Sequence, residues 1–556
     1  MVTTKWELLS AHLGPYQDDV EQALREMERQ DIIARIWAHD YTVWKPDPTE
    51  IADRLGWLDI AAKMVENIDC LEALVGDARA EGLTDILLLG MGGSSLAPEV
   101  FSKVLGANNG YLDLTVLDIT DPAAILSQAE RLDLRHTLFL VASKSGRTVE
   151  TLSFYRRFYN WAVAELGEEE AGKHFVAITD PGSQLIEIAA EHGFRAVFLN
   201  DPNIGGRYSA LSYYGLVPAA LVGVDLETLL DRALVMACNC TPSNTGCGTD
   251  NAGALLGAAL GELAITGRNK LTLVLSDPIA SFGDWIEQLV AESTGKEGKG
   301  ILPVIGEHLG PPEVYGDDRV FVRLRLNGDE AHDAALQRLH DAGHPIIQLG
   351  LRDRYDLGGQ FFLWEIATAI AGHLMQINPF DQPNVEASKR RAREMIDRYE
   401  REGKLPQGGR SPLSRDVLLS FLDQSRPGDY VSLQVYAQPT RELDQALQTL
   451  RTRIRDHYKL ATTVGYGPRF LHSTGQLHKG DAGNGLFIQL TDDSTQDVSI
   501  PDQAGSASIS ISFGILEAAQ ALGDQQALQD ADRRLIRFHL GTDVMGNLEK
   551  LIAAVS

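Results

Sequence analysis

The segment Val141-Ala-Ser-Lys-Ser-Gly-Arg-Thr-Val-Glu150 sets three hydroxyl side chains, Ser143, Ser145 and Thr148, around one glycine, between an apolar run and a helix start. A turn of this kind aims backbone N–H groups and hydroxyls at one point and ends on the positive pole of a helix, an arrangement that receives a phosphate monoester. Ordinary turns also use serine and glycine, so the segment alone admits both readings. A second turn, Gly90-Met-Gly-Gly-Ser-Ser95, follows an earlier apolar run and lets backbone approach a ligand closely. Ser95 stands where the dinucleotide fingerprint has its third glycine, and no ribose-binding acid is identified on a following strand. A sugar phosphate therefore suits the two turns better than a dinucleotide. Cys238, Cys240 and Cys247 cluster without the paired Cys-x-x-Cys knuckles of a zinc site. Reduced structural thiols are the expected reading, with a metal site as the alternative.

The elements that must hold these turns follow from periodicity. Short apolar runs at 86–89, 114–117, 138–141, 175–178 and 196–199 are separated mostly by helical stretches. That alternation implies right-handed crossovers and a parallel sheet covered on both faces, with ligands beyond the strand C-terminal ends. A second α/β unit runs from 217 to about 399, with helices over 250–266, from 282 and over 330–341, and strands over 271–275, 320–326 and 345–349. A cleft between the two units is the default active-site position. The first seventy-odd residues read as helices, with Asp47-Pro-Thr-Glu50 as N-cap, first-turn proline and capping-box acid for a helix over 51–64. From 411 onward, strands over 430–436, 460–464, 486–490 and 535–540 and helices over 441–456 and 514–522 predict a ferredoxin-like βαββαβ unit. The division is 1–75, 76–216, 217–410 and 411–556. One loop in the last unit, 465–480, gathers Arg469, His472, His478 and Lys479 among glycines. It is either an anion pocket or a long loop packed on a domain interface.

Composition removes other classes. The chain has 556 residues, 44% of them hydrophobic, enough for several globular cores. Its formal net charge of -27 repels polyphosphates, so nucleic acid and anionic membrane are unsuitable partners and an anionic ligand must be held by local donors. Four cysteines argue against a disulfide framework. Without an apolar leader at Met1-Val-Thr-Thr-Lys-Trp-Glu or an apolar run of spanning length, the expected location is cytoplasmic.

Two further segments carry a resemblance. Asn203-Ile-Gly-Gly-Arg-Tyr-Ser209 and Asn378-Pro-Phe-Asp-Gln-Pro-Asn-Val-Glu-Ala-Ser-Lys389 resemble the two signatures of glucose-6-phosphate isomerases, in the family's order. Gly92-Gly-Ser94, Ser143 to Thr148 and Glu292-Ser-Thr-Gly-Lys296 also resemble family motifs, so the likeness spans roughly 40 to 400. It implies two sugar-isomerase (SIS) doubly wound parallel-sheet subdomains, here with an N-terminal helical segment and a small α+β C-terminal domain. The implied activity is reversible aldose–ketose isomerisation of glucose 6-phosphate and fructose 6-phosphate, which needs no metal or redox cofactor. It needs a ring-opening acid/base, a carboxylate that moves a proton between C2 and C1, and a cation beside the enediolate.

The resemblance assigns Glu292 as the base, with Gln288 one helical turn earlier on the same face. Arg207 stabilises the enediolate, and Lys389 and Gln382 contact the sugar ring, Lys389 sharing in ring opening. Gly93, Ser94 and Gly206 are substrate contacts, and Ser143, Ser145 and Thr148 hold the phosphate, with Lys144 contributing through its backbone. Animal-type members carry the ring-opening histidine after a Gly-Gln pair, but Phe361 follows Gly359-Gln360 here. Shorter bacterial members resemble Lys299-Gly-Ile-Leu-Pro303 followed by a His-bearing loop, which makes His308 the candidate. Asn384 stands where the second signature has glycine. The tail resembles the C-terminal part of fused transaldolase and glucose-6-phosphate isomerase chains, with no room before Gly90 for the eight repeats of a transaldolase barrel. The partner is then a small sugar phosphate, and a homodimer is compatible with the family. An isomerase that also accepts mannose 6-phosphate and a non-catalytic sugar-phosphate-binding regulator are the alternatives.

Overall fold

The computed structural model describes residues 9–106, 108–242, 251–494 and 496–555. The N-terminal segment is not wholly helical. It opens with β1 (Leu9–His12), which becomes the antiparallel edge of the second sheet. Asp47 does not cap a helix over 51–64 either: its Oδ1 accepts from the Thr49 N–H at 3.0 Å in a tight turn, and Glu50 takes a φ of 51°. That left-handed residue interrupts helical backbone, and the α-helix begins only at Ile60–Val65.

The first sheet contains β2 (Asp85–Gly90), β3 (Asp113–Leu117), β4 (Thr137–Ala142), β5 (Phe175–Thr179) and β6 (Ala196–Leu199). All pairings are parallel, in the order β3-β2-β4-β5-β6. Every residue of β4 and all of β2 except Asp85 are buried, as strands covered on both faces must be. The chain leaves β2 for β3 on one side and returns to β4 on the other. The order therefore reverses at β2, and a crevice opens between the carboxyl ends of β2 and β4. The 90–95 and 143–148 turns are its two lips.

The second sheet repeats the device with β7 (Lys270–Leu275), β8 (Leu302–Val304), β9 (Arg319–Leu326) and β10 (Ile346–Leu351) in the order β1-β10-β9-β7-β8. β8 is three residues long, too short to show a period. The helix Phe282–Thr294 follows β7 and is buried along its length except at Asp284. The helix Leu357–Leu374 is apolar around most of its circumference and lies inside, Trp44 Nε1 donating to its Ala369 carbonyl at 2.8 Å.

The third sheet is where the structure departs from expectation. β11 (Tyr430–Tyr436), β12 (Ala461–Tyr466), β13 (Gly485–Asp492) and β16 (Arg534–Gly541) are all parallel, in the order β12-β11-β13-β16, while β14 (Ser499–Pro501) and β15 (Ile509–Ser512) form a separate hairpin. A ferredoxin-like unit needs antiparallel neighbours. Here the connection from β12 to β13 is a crossover over 467–484 that carries its own short helix, Gly475–Gly480, to the far side of β11. The domain is a third doubly wound α/β unit. It is locked to the first subdomain by Arg469, which pairs with Glu99 and, at 3.2 Å, Asp118. Arg451 Nη1 holds it to the second by donating to the Ile305 carbonyl at 2.8 Å. No helix of the described residues is long and apolar enough to cross a membrane.

Candidate active site

Segments from all three units close one cavity of about 180 Å³: the 145–150 loop, the helix Val385–Glu402, part of the β12–β13 crossover, and Leu516 and Gln520 from the helix Phe513–Asp530. On the second lip, Ser143 N–H donates to the Ile178 carbonyl at 3.1 Å, which ties the loop to β5. The Ser143 and Thr148 hydroxyls lie 3.0 Å apart, and Ser145 Oγ accepts from the Arg147 N–H at 3.2 Å. Gly146 has a φ of 64°, and a Cβ there would stand 2.6 Å from Leu185 N, so only glycine makes the turn. Thr148 is the N-cap of the helix Val149–Leu166, whose side-chain oxygen stays uncommitted to that helix. Arg147, Lys389, Arg393 and Lys479 also line the cavity, concentrating positive potential in a strongly acidic chain. Lys144 points elsewhere: its ammonium is paired with Asp180 and donates to the Pro202 carbonyl at 3.0 Å. Replacing Thr148 by Ala is expected to raise KM for the phosphorylated sugar by about 10-fold with little change in kcat, the loss of one charge-assisted hydrogen bond; steady-state kinetics measure it.

The proposed proton-transfer group sits beside this cavity and does not line it. Gln288 and Glu292 share one face of the helix Phe282–Thr294, and Gln288 Nε2 donates both to Glu292 Oε2 at 3.2 Å and to the His472 carbonyl at 2.8 Å. One amide thus bridges the carboxylate and the cavity wall. Arg207 Nη1 lies 3.4 Å from Glu292 Oε1, and the guanidinium is otherwise fully engaged. It donates to Ser293 Oγ at 2.8 Å, Gln382 Oε1 at 3.0 Å, the Pro379 carbonyl at 2.7 Å and the Asp381 carbonyl at 2.9 Å. Lys296 binds Asp381 Oδ1 at 2.6 Å, and burial, then the nearby Arg207 charge, pull its ammonium down to about 8. Gly93 and Gly206 touch: a Cβ on Gly93 would fall 2.0 Å from the Gly206 carbonyl oxygen. That contact brings the first-lip turn with Ser94 against the turn that carries Arg207. Lys389 lines the cavity with its ammonium 3.0 Å from Glu386 Oε1. Asn384 fits without glycine's freedom: its φ is -89°, and its N–H and Oδ1 each bond Gln476 at 2.8 Å.

His308 is not brought to this site. It is exposed, does not line the cavity, and its carbonyl is held by Arg455 at the C-terminal domain. The histidine in the cavity wall is His472, whose Nε2 lies 3.1 Å from Glu150 Oε1. Burial raises the Glu150 carboxyl, but the His472 charge and hydrogen bond outweigh it and hold the group below its usual range. Gln520 Nε2 donates to the same oxygen at 2.6 Å, a second hold on the carboxylate. The 465–480 segment thus divides its work. Arg469 clamps the domains, Lys479 reaches the cavity while bonded to Asp524 at 2.5 Å, and His478 is buried against Tyr430, Phe470 and Phe487, where burial keeps it neutral. The signal for His472 is its place in a His- and Lys-bearing glycine loop; reading β12 and β13 as a hairpin hides where that loop goes. Of the cysteine cluster, Cys240 is buried and its thiol is pushed up to about 12 by burial, while Cys247 lies outside the described residues. Among the described residues, no three His, Cys, Asp or Glu side chains converge as metal ligands.

Doubly wound sheets with a hydroxyl-bearing turn at the switch point, and a buried carboxylate against a guanidinium beside it, are the arrangement expected of a phosphosugar isomerase. Comparison with known proteins narrows the class. The phosphoglucose isomerase family model matches residues 53–304. A glucose-6-phosphate isomerase of Rubrobacter xylanophilus is 29% identical over 420 residues, covering 67% of this chain and 94% of the relative. One of Thermosynechococcus vestitus is 32% identical over 357 residues, 56% of this chain and 65% of the relative. Among solved structures, a hypothetical protein from Thermus thermophilus superposes with a TM-score of 0.58 at 25% identity, over 70% of this chain and 99% of that one. A glucose-6-phosphate isomerase from Chlamydia trachomatis shares the fold at a TM-score of 0.58 and 19% identity, over 75% of this chain and 92% of that one. Over residues 53–304 the chain is similar to the phosphoglucose isomerase family, and the relatives named glucose-6-phosphate isomerase extend that likeness to 420 residues.

Proposed function

We propose that this chain interconverts glucose 6-phosphate and fructose 6-phosphate through an enediolate, working in the cytoplasm. The observation that carries the reading is the Glu292 carboxylate, held 3.4 Å from the Arg207 guanidinium and joined through Gln288 to the wall of an anion-binding cavity. Binding alone does not require a positioned base. Ser143, Ser145 and Thr148 receive the phosphate, and the His472 and Glu150 pair opens the pyranose by moving the proton between the ring oxygen and the O1 hydroxyl. Lys389, on the same wall, assists. Glu292 then takes the C2 proton and returns it to C1, while Arg207 stabilises the enediolate charge. Gly93, Ser94, Gly206, Gln288 and Gln382 position the sugar or the groups that act on it.

A coupled assay of the purified protein with glucose 6-phosphate tests the reading, and turnover is the expected result; a parallel assay with mannose 6-phosphate decides whether C2 epimers are also accepted. Binding without turnover would make the chain a sugar-phosphate-binding regulator instead. His472→Asn is expected to lower kcat by roughly 10²-fold, while His308→Ala leaves it within about twofold. Loss of activity in the His308 variant with retention in the His472 variant would reverse the assignment.

A further inference from the structure

The third sheet has the same order reversal as the two that build the active site. β12 lies on one side of β11 and β13 on the other, so a crevice is expected between the carboxyl ends of β11 and β13. One is present. A cavity of about 240 Å³ opens there, bounded by Tyr436 at the end of β11, Asp492 at the end of β13, Arg537 on β16, Glu517 on the helix Phe513–Asp530, and Arg410 at the rim. Its size is below the roughly 300–1,000 Å³ of sites for drug-sized ligands, so a single small metabolite is the scale it fits.

Its walls hold polar groups without partners. Tyr436 is 2% exposed and its hydroxyl has no hydrogen-bond partner; Glu517 is 7% exposed and its Oε1 has none; Arg537 is 5% exposed and its Nε has none. Leaving such atoms unpaired is costly, and the three residues that carry them line one cavity, which marks a place where a polar ligand supplies what the protein does not. The charges are also sorted. Among the described residues, neither Arg410, Arg537, Asp492 nor Glu517 makes an ion pair within 4.0 Å, although two are basic and two acidic. The cationic end is uncompensated: burial and the adjacent Arg410 charge pull the Arg537 guanidinium down to about 10. The acidic end is uncompensated too. Burial, then Asp121 and Asp493, push Asp492 up to about 6, and burial with Asp121 and Asp492 raises Glu517 well above the carboxylate range. His539 is already taken up by Asp493 at 3.0 Å and Thr491 at 3.1 Å, so it neutralises neither end.

A simple anion would satisfy the arginines and leave the acids without a partner, and a simple cation would do the reverse. A molecule with an ammonium group and an acid group meets both ends. We propose that this crevice is a second ligand site, separate from the isomerase centre, which binds a small zwitterion of the α-amino acid class. Arg410 and Arg537 take the carboxylate, Asp492 and Glu517 take the ammonium, and the Tyr436 hydroxyl completes the cradle.

The test uses the full-length protein and isothermal titration calorimetry with each common L-α-amino acid at millimolar concentration. At least one is expected to bind, and its N-acetyl and carboxamide derivatives, which each lack one charge, should bind roughly tenfold or more weakly. Arg410→Ala, a change at an exposed rim position, should weaken binding by a similar factor and leave glucose 6-phosphate turnover unchanged. If no amino acid binds, or if a blocked derivative, inorganic phosphate or methylamine binds as tightly as the parent amino acid, the proposal fails. None of these outcomes bears on the isomerase reading, which is decided by the sugar-phosphate assay.

Discussion

Glu292→Gln is expected to lower kcat by roughly 10²- to 10⁴-fold while KM moves by less than about threefold. Glutamine keeps the size and planarity of the side chain, so the Gln288 amide that reaches Glu292 Oε2 at 3.2 Å still finds an acceptor and the tie to the His472 carbonyl survives. What disappears is the ability to accept the C2 proton. The phosphate turn is on a different subdomain and is untouched, which is why affinity is largely spared. Thermal unfolding should be nearly unchanged, since Arg207 retains its bonds to Ser293, Gln382 and two backbone carbonyls. A variant with unchanged kcat would remove Glu292 as the base.

Arg207→Lys should behave differently. The charge is retained, but an ammonium cannot span the four hydrogen-bond partners that the buried guanidinium holds at 2.7 to 3.0 Å. Turnover is expected to fall by roughly 10²- to 10³-fold, the scale for removing a positioned enediolate stabiliser. The Pro379 carbonyl would also lose its donor, at a cost of about 1–3 kcal/mol if left unsatisfied, whereas the Asp381 carbonyl keeps the Lys296 ammonium at 2.6 Å. The expected signature is therefore a combined loss of kcat and of thermal-unfolding midpoint, set against kcat alone in Glu292→Gln. Wild-type turnover in the lysine variant would show that charge without geometry suffices.

The first subdomain is legible almost strand by strand, because strands covered on both faces read as unbroken apolar runs. The runs at 86–89, 138–141 and 175–178 sit inside β2, β4 and β5. β1 and β8, four and three residues long, give no period to detect. The turn proposed to hold the phosphate is visible in its residue types, and the segments bearing Glu292, Arg207 and Lys389 are visible as motifs. The histidine proposed to open the ring, His472, is not, for a physical reason: its partner, Glu150, is 322 positions away, and only the tertiary crossover brings them within 3.1 Å. An apolar run also does not say whether the next strand pairs parallel or antiparallel. The segment between β12 and β13 therefore reads as a hairpin within a ferredoxin-like unit, which leaves His472 without a destination. At Asp47, a side chain able to cap a helix caps a turn instead, because Glu50 adopts left-handed backbone.

The crossover between β12 and β13 divides the labour of catalysis between separately built pieces of one chain. The groups assigned to move hydrogen between carbons, Glu292 and Arg207, belong to the two isomerase subdomains, whereas the imidazole assigned to unlock the cyclic sugar arrives on the third sheet. Demand for that third piece then depends on the substrate's own ring–chain equilibrium. An aldose phosphate too short to close a ring bypasses it, and the C-terminal unit becomes the part that adapts an enolisation machine to pyranoses.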